Sequence, residues 1–326
     1  MTDITLVEAV NLALMHEMAH DPEMVLLGQD IGINGGVFRA TVGLLEKFGN
    51  ERVLDTPLAE NMIAGTAVGM AVQGLHPVAE IQFMGFIYPA IDQMVSHASR
   101  MRNRTRGRLS CPMVLRAPYG GGIHAPEHHS ESTEAMFAHI PGIRVVIPSS
   151  PTRAYGLLLA AIRDPDPVVF LEPKRVYRLM KQAVEDNGEA LPLDTCFVLR
   201  PGSDITLVSW GAMLHETQQA AEQLAGEGID AEVIDLATIK PIDMQTILES
   251  VGRTGRCVIV QEAARTCSVS AEIAARLAEE GLMSLFAPIR RVTGFDTVMP
   301  MFRLEGHYMP STERIKQAVI QTMEYA

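Results

Sequence analysis

Pro112-Met113-Val114-Leu115-Arg116 is a nearly unbroken apolar run, and four residues later the chain reaches Gly120-Gly121-Gly122. A short apolar run closed by turn residues is the signature of a β-strand covered on both faces. Working outward, the same signature recurs at 24–27, 77–83, 143–147 and 167–171. Between these runs, 61–73, 89–101 and 152–162 carry helical patterns. Strands alternating with helices over this length predict a parallel sheet with helices on both faces. At the start of the chain, Thr5-Leu6-Val7-Glu8 has the spacing of a capping box and predicts a helix running to about His20.

The alternation stops between about 176 and 202, where Lys181, Glu185, Asp186, Asn187, Gly188 and Glu189 precede Pro192 and Pro201. Charge, glycine and proline together predict an interdomain linker. Beyond it, strands are expected at 204–210, 231–236, 257–261 and 289–292, and helices at 213–224, 241–251, 269–280 and 311–323. The expected organisation is α/β with two parallel-sheet domains, 1–180 and 203–326, joined by a linker at 181–202.

Composition narrows the function. The chain has 326 residues, 47% hydrophobic and 20% charged, which is ordinary for a globular protein. Its 27 basic and 39 acidic residues leave a net charge of −12. Nucleic acid and anionic membranes both call for a basic footprint, so neither is an expected partner. No apolar run reaches the length of a membrane span, and Asp3 and Glu8 sit where a secretory signal would carry positive charge. Cys111, Cys196, Cys257 and Cys267 are too widely spaced for a zinc site and are expected to be reduced, buried thiols of a cytoplasmic protein.

In open α/β sheets, ligands bind beyond the carboxyl ends of strands, which directs attention to three stretches. The first is Asp55-Thr56-Pro57-Leu58-Ala59-Glu60-Asn61, followed by Ala64, Gly65, Ala67, Gly69, Ala71 and Gly74. Small residues let this helix approach another backbone closely. Glu60 at its mouth reads either as an acid stabilised by the helix dipole or as a poorly solvated carboxyl suited to sharing a proton. The second stretch is 119–131, with His124, His128, His129, Glu127 and Glu131 on a loop rich in glycine and proline. It offers general acid–base chemistry through a histidine, or a metal site. Three consecutive glycines are costly to order without a reason. The third is Ala161-Ile162-Arg163-Asp164-Pro165-Asp166-Pro167, a stiff turn whose carbonyls suit a hard cation or simply lead into the next strand. Gly32-Ile33-Asn34-Gly35-Gly36 lacks dinucleotide-binding spacing, and there is no Walker lysine motif.

Taken together and in order, these stretches resemble one family across essentially the whole chain. It is the beta subunit of the thiamine-diphosphate-dependent dehydrogenase component of 2-oxo acid dehydrogenase complexes. The resemblance is carried by Gly28-Gln29-Asp30, Gly35-Gly36-Val37-Phe38, 55–60, Ala79-Glu80-Ile81-Gln82-Phe83, Pro89-Ala90-Ile91-Asp92-Gln93, His129-Ser130-Glu131-Ser132 and 167–173. Gly120-Gly121-Gly122-Ile123-His124-Ala125-Pro126-Glu127 looks most like bacterial pyruvate dehydrogenase beta subunits. Met84-Gly85-Phe86 differs from the Ala-Asp-Tyr expected of branched-chain enzymes. Branched-chain 2-oxo acid and acetoin dehydrogenases are the alternatives.

The resemblance implies a transketolase-like pyrimidine-binding domain followed by a transketolase C-terminal domain. It implies that Glu60 hydrogen-bonds N1′ of the thiamine aminopyrimidine, that Phe86 packs on the pyrimidine, and that Leu58 and Gln82 line the pocket. His129 would donate or orient a proton during reductive acylation of a lipoyl group, and His128 stands where the family has an uncharged polar residue. Asp30 would belong to an acidic, water-filled path between two active sites. The carbonyls of Met113, Ala161, Ile162, Asp164 and Asp166 would form a structural potassium site. The chain has no Gly-Asp-Gly motif. The magnesium and diphosphate ligands are therefore expected from an alpha subunit in an α2β2 heterotetramer, with a lipoyl-bearing acyltransferase as further partner.

Overall fold

A computed structural model describes residues 2–325. The chain divides into two compact units, one of 1–119 with 136–193, the other of 120–135 with 194–326.

In the first unit β1 (Thr2–Ile4) leads into α1 (Leu6–His20), then β2 (Met24–Gly28), α2 (Leu44–Phe48), β3 (Val53–Asp55), α3 (Glu60–Val72) and β4 (His76–Glu80). The chain continues through α4 (Ile91–Ser96), α5 (Met101–Arg104) and β5 (Val114–Tyr119). After α6 (Ala135–Ala138) come β6 (Arg144–Val146), α7 (Pro151–Arg163), β7 (Val168–Pro173) and β8 (Gln182–Val184). The strands run in the order β6-β7-β5-β4-β2-β3, all parallel. The capping box forms, with the Thr5 N–H and hydroxyl both donating to Glu8 Oε2 at 2.7 Å. One face of α1 (Leu6, Ala9, Val10, Ala13 and Leu14) is fully buried and packs on α7.

The strand quoted first runs on to Tyr119, with Arg116 inside it and 1% exposed. The two flanking strands neutralise this charge. Arg116 donates to Glu172 of β7 through Nε at 2.7 Å and Nη2 at 2.8 Å, and to Glu80 of β4 through Nη1. Tyr177 closes the cluster by donating to Glu172 at 2.5 Å. Burial nonetheless pushes the Glu80 carboxyl above its usual range, against the pull of Arg116.

The helix expected over 89–101 is broken. Helix α4 stops at Ser96, His97 leaves helical geometry at φ −123° and ψ −67°, and a 3-10 turn spans Ala98–Arg100. The Ser99 hydroxyl donates to the Val95 carbonyl at 2.8 Å, competing with the helical backbone pattern. The expected linker 181–202 also holds strands. Strand β8 pairs antiparallel with β1, and β9 (Phe197–Arg200) pairs antiparallel with β11 (Ala231–Asp235).

In the second unit β9 precedes β10 (Ile205–Ser209), α8 (Met213–Gly226), β11 (Ala231–Asp235), β12 (Thr238–Lys240) and α9 (Met244–Thr254). Then follow β13 (Cys257–Val260), α10 (Val269–Glu280), β14 (Arg290–Val292), α11 (Phe302–Tyr308) and α12 (Thr312–Met323). The sheet order is β14-β13-β10-β11-β9, parallel except for β9. Cys111, Cys196 and Cys257 are buried, but Cys267 is exposed, in the left-handed region at φ 51° ahead of α10. Among the described residues no helix is long and apolar enough to cross a membrane.

Candidate functional site

In the first unit, parallel strands bring their carboxyl ends to one edge of the sheet, and the loops there carry the predicted residues. Asp30 follows β2 at φ 59° and accepts from Gln82 Nε2 at 3.0 Å and from Asn34 Nδ2 at 3.2 Å. The structure thus joins two residues far apart in sequence. Asp55, at the end of β3, accepts from the Gly32 N–H at 2.6 Å and the Ile33 N–H at 3.1 Å. That grip leaves the Ile33 side chain 85% exposed. Phe86, just after β4, meets Phe83 edge-on with ring centroids 5.6 Å apart.

Glu60 opens α3 in the first turn, where the helix dipole favours a carboxylate. The sequence suggested a poorly solvated acid; within its unit the side chain is only half-buried. Its carboxyl has no hydrogen-bond partner among the described residues. Leu58, two residues earlier, is 69% exposed, and Met62 is exposed on the following turn. A half-buried carboxylate without an internal partner, flanked by bare apolar side chains, is available to share a proton with a ligand.

The potassium candidates also lie in the first unit. Ala161 and Ile162 are buried in the last turn of α7, where carbonyls have no downstream helical N–H. The Met113 carbonyl accepts from the Val168 N–H at 3.0 Å. Asp164 accepts from the Asp166 N–H at 2.8 Å and pairs with Arg144 at 2.9 Å, while Asp166 pairs with Arg102 at 2.8 Å.

The histidine loop belongs to the second unit, and buried carboxylates order it. Gly120, at φ 90°, donates to the Glu131 carbonyl at 2.8 Å, and a Cβ there would lie 2.6 Å from Glu262 Oε1. Glu262 Oε1 accepts from the Gly121 N–H at 2.8 Å and the Ser132 hydroxyl at 2.5 Å. Glu305 of α11 accepts from the N–H groups of Gly122 at 2.8 Å and His124 at 3.1 Å. His124 sits at φ 57°, and its Nδ1 lies 2.8 Å from Glu305 Oε2. Half-buried His129 ends a 3-10 turn, Glu127–His129, braced by the Ser130 hydroxyl donating to the Ala125 carbonyl at 3.2 Å. His124 and His128 are exposed, and no three His, Cys, Asp or Glu side chains converge on a metal position among the described residues.

Sequence reasoning missed Glu262, Glu305 and Glu134. Glu262 follows a predicted strand and was open to the same rule that found the other loops. Glu305 lies in a seven-residue helix among exposed Phe302 and Leu304 and gave no signal. Glu134, at the end of the loop, is buried, which pushes its carboxyl up to about 8; the neighbouring Glu262 charge adds to the effect.

The transketolase pyrimidine-binding domain family matches residues 2–180, and the transketolase C-terminal domain family matches residues 194–315. The chain is 50% identical over 315 residues to the pyruvate dehydrogenase E1 component subunit beta of Acholeplasma laidlawii, covering 97% of this chain and 96% of that one. It is 43% identical over 325 residues to the protein of that name from Bacillus subtilis strain 168, covering 100% of both. The 2-oxoisovalerate dehydrogenase subunit beta of the same organism is 45% identical over 327 residues, again covering 100% of both. Among solved structures, a split-gene transketolase in the form of an inactive beta4 tetramer aligns with a TM-score of 0.82 over 99% of each chain. At 23% identity, that likeness speaks to the fold alone.

Proposed function

Because the chain belongs to the beta-subunit family of the thiamine-diphosphate-dependent 2-oxo acid dehydrogenase E1 component, we propose that it is the beta half of a pyruvate dehydrogenase. Its reaction is oxidative decarboxylation of pyruvate with reductive acetylation of lipoyl groups on an acyltransferase. The observation that carries this reading is the Glu60 carboxyl, half-buried at the mouth of α3 with no partner among the described residues.

Thiamine diphosphate, when bound, supplies the electron sink for decarboxylation. Glu60 holds and returns a proton at N1′ of the aminopyrimidine, a task for a carboxyl that its surroundings do not already engage. Leu58 and Phe86 supply apolar surface for the pyrimidine. Gln82, oriented by Asp30 at 3.0 Å, lines the pocket with a fixed amide. His129 supplies a proton to the lipoyl sulfur during acyl transfer, a general-acid role open to a histidine side chain.

The magnesium and diphosphate ligands come from an alpha subunit in an α2β2 assembly. Exposed Phe295, Val298, Met301, Phe302 and Leu304 form an apolar run on the second unit that supports a partner surface. The carbonyls of Ala161 and Ile162, with those of Met113, Asp164 and Asp166, hold a structural potassium ion. A branched-chain 2-oxo acid is the second reading, favoured by the 45% identity to a 2-oxoisovalerate dehydrogenase beta subunit.

The test is co-expression with an alpha subunit and assay of pyruvate, 2-oxobutyrate and 3-methyl-2-oxobutanoate, with and without thiamine diphosphate and magnesium. Cofactor-dependent turnover strongest on pyruvate is the expected result. Preference for the branched acid would favour the second reading, and no turnover by a well-formed complex would refute both.

A further inference from the structure

The loop 120–132 has one short turn, Glu127–His129, and three consecutive glycines, yet its backbone is held at several points by two glutamates distant in sequence. Each glutamate is 3% exposed. Glu262 grips both ends of the loop with a single oxygen, taking the Gly121 N–H at 2.8 Å and the Ser132 hydroxyl at 2.5 Å. Glu305 takes the next turn, through the Gly122 N–H at 2.8 Å and the His124 N–H at 3.1 Å. Between His124 and Ser132 lies a short bridge carrying His129. It is stiffened by Pro126 and by the Ser130–Ala125 bond of 3.2 Å.

We propose that Glu262 and Glu305 are positioning residues for His129, holding the triple-glycine loop in the conformation that presents its imidazole to the lipoyl group. The inference rests on the acyl-transfer reading of His129 given above. Glycines have the most conformations to lose, so this backbone depends on its acceptors more than a bulkier sequence would. Glycine is also required here, because a Cβ at Gly120 would strike Glu262 Oε1 at 2.6 Å. The close approach that fixes the loop therefore exists only because the sequence is flexible. A catalytic group on a flexible loop needs such support, since displacement by about 1 Å costs on the order of 100-fold in rate.

The two glutamates differ in a way that makes the proposal testable. Glu262 uses Oε1 for both grips, and its Oε2 has no partner among the described residues. Glutamine keeps Oε1 as an acceptor and places its amide where nothing is lost, so Glu262→Gln should retain the clamp while Glu262→Ala releases it. Glu305 uses both oxygens, so Glu305→Gln turns a donor toward the His124 N–H and weakens the grip.

The experiment uses the assembled complex with thiamine diphosphate and magnesium, and compares two half-reactions. In the Ala variants, acylation of a lipoylated domain should fall by about 10- to 100-fold. Decarboxylation measured with an artificial electron acceptor should stay within about twofold of the parent. Amide exchange across 120–132 should accelerate in parallel, and Glu262→Gln should restore both exchange and acylation. An Ala variant added to His129→Ala should cause no further loss of acylation, and an additive loss would overturn the proposal. Parent-like acylation from a loosened loop, or unchanged exchange, would overturn it equally. If an alanine variant does not assemble, Glu305→Gln carries the same expectation. Should His129→Ala itself acylate normally, the reading of His129 fails, and exchange alone then decides whether the clamp exists.

Discussion

Replacing Glu134 with glutamine is expected to make the protein more stable at alkaline pH and to change little near pH 4. The Glu134 side chain is buried, and burial pushes its carboxyl from the usual 4.5 up to about 8. The Trp210 indole N–H favours the charged form and the Glu262 charge opposes it. Below pH 4.5 the carboxyl is protonated in both folded and unfolded chains and has no effect on the balance. Between 4.5 and about 8 the folded chain keeps a proton that the unfolded chain has released, so stability falls as pH rises. At roughly 1.4 kcal/mol per pH unit, the loss accumulated over that window is about 4–5 kcal/mol, an upper bound for a carboxyl coupled to another. Above about 8 both states are ionised and the fall ends. Glutamine matches the shape of the protonated acid and cannot ionise. Its amide nitrogen takes the place of Oε2, which has no partner among the described residues. Urea unfolding of the assembled complex should therefore give curves for parent and Glu134→Gln that converge near pH 4–5 and separate by several kcal/mol at pH 9, on the order of the full loss. Parallel curves across that range would refute the argument. So would a variant less stable than the parent at high pH.

Glu60→Gln should abolish turnover of the assembled complex while shifting its unfolding free energy by no more than about 0.5 kcal/mol, because the carboxyl supports no internal bond among the described residues; retained turnover would remove Glu60 from the mechanism. Arg116→Met strands Glu80 and Glu172 together in the core and should cost about 3–5 kcal/mol, read as a lowered urea midpoint. Burial holds the Cys111 and Cys257 thiols up at about 12, while Cys267 is exposed. A thiol reagent at pH 8 should therefore label Cys267 in the native chain and reach the other two only on unfolding, as mass mapping of the labelled peptides would show.

What was legible follows from how far each signal reaches along the chain. The sheet strands at 24–28 and 257–260 are short apolar runs, and each run is its own evidence. Helix α10 occupies 269–280, where its amphipathic spacing placed it. Arg116 was harder to read, because a charge at the end of an apolar run looks like the end of a strand. It continues the strand because Glu80, directly opposite on β4, and Glu172, two residues farther along β7, both reach it, and their separations of 36 and 56 residues hide the pairing. The broken helix after Ser96 has a similar cause. Propensity favoured continuation, and a side-chain hydroxyl competing for the Val95 carbonyl opposed it.

The candidate site divides along the same line. The stretch 55–60 and the histidine loop stand out in the sequence because each follows a strand, where open α/β sheets bind ligands, whereas Gln82 is reached only through the family resemblance. The groups that hold the histidine loop in place act from much farther away: Glu262 is 141 residues from Gly121, and Glu305 is 183 residues from Gly122. The triple glycine does announce that something must restrain it, since an unrestrained loop of that composition would lose the most entropy on ordering. It does not say what. The restraint had to be buried and acceptor-rich, because exposed backbone N–H groups in a glycine loop can otherwise be satisfied by water. Two carboxylates meet that requirement at the cost of burying charge, and the hydrogen bonds they collect offset it. The sequence of the histidine loop thus reveals the demand for positioning, while the pairing of that demand with Glu262 and Glu305 becomes visible only once the second unit is folded.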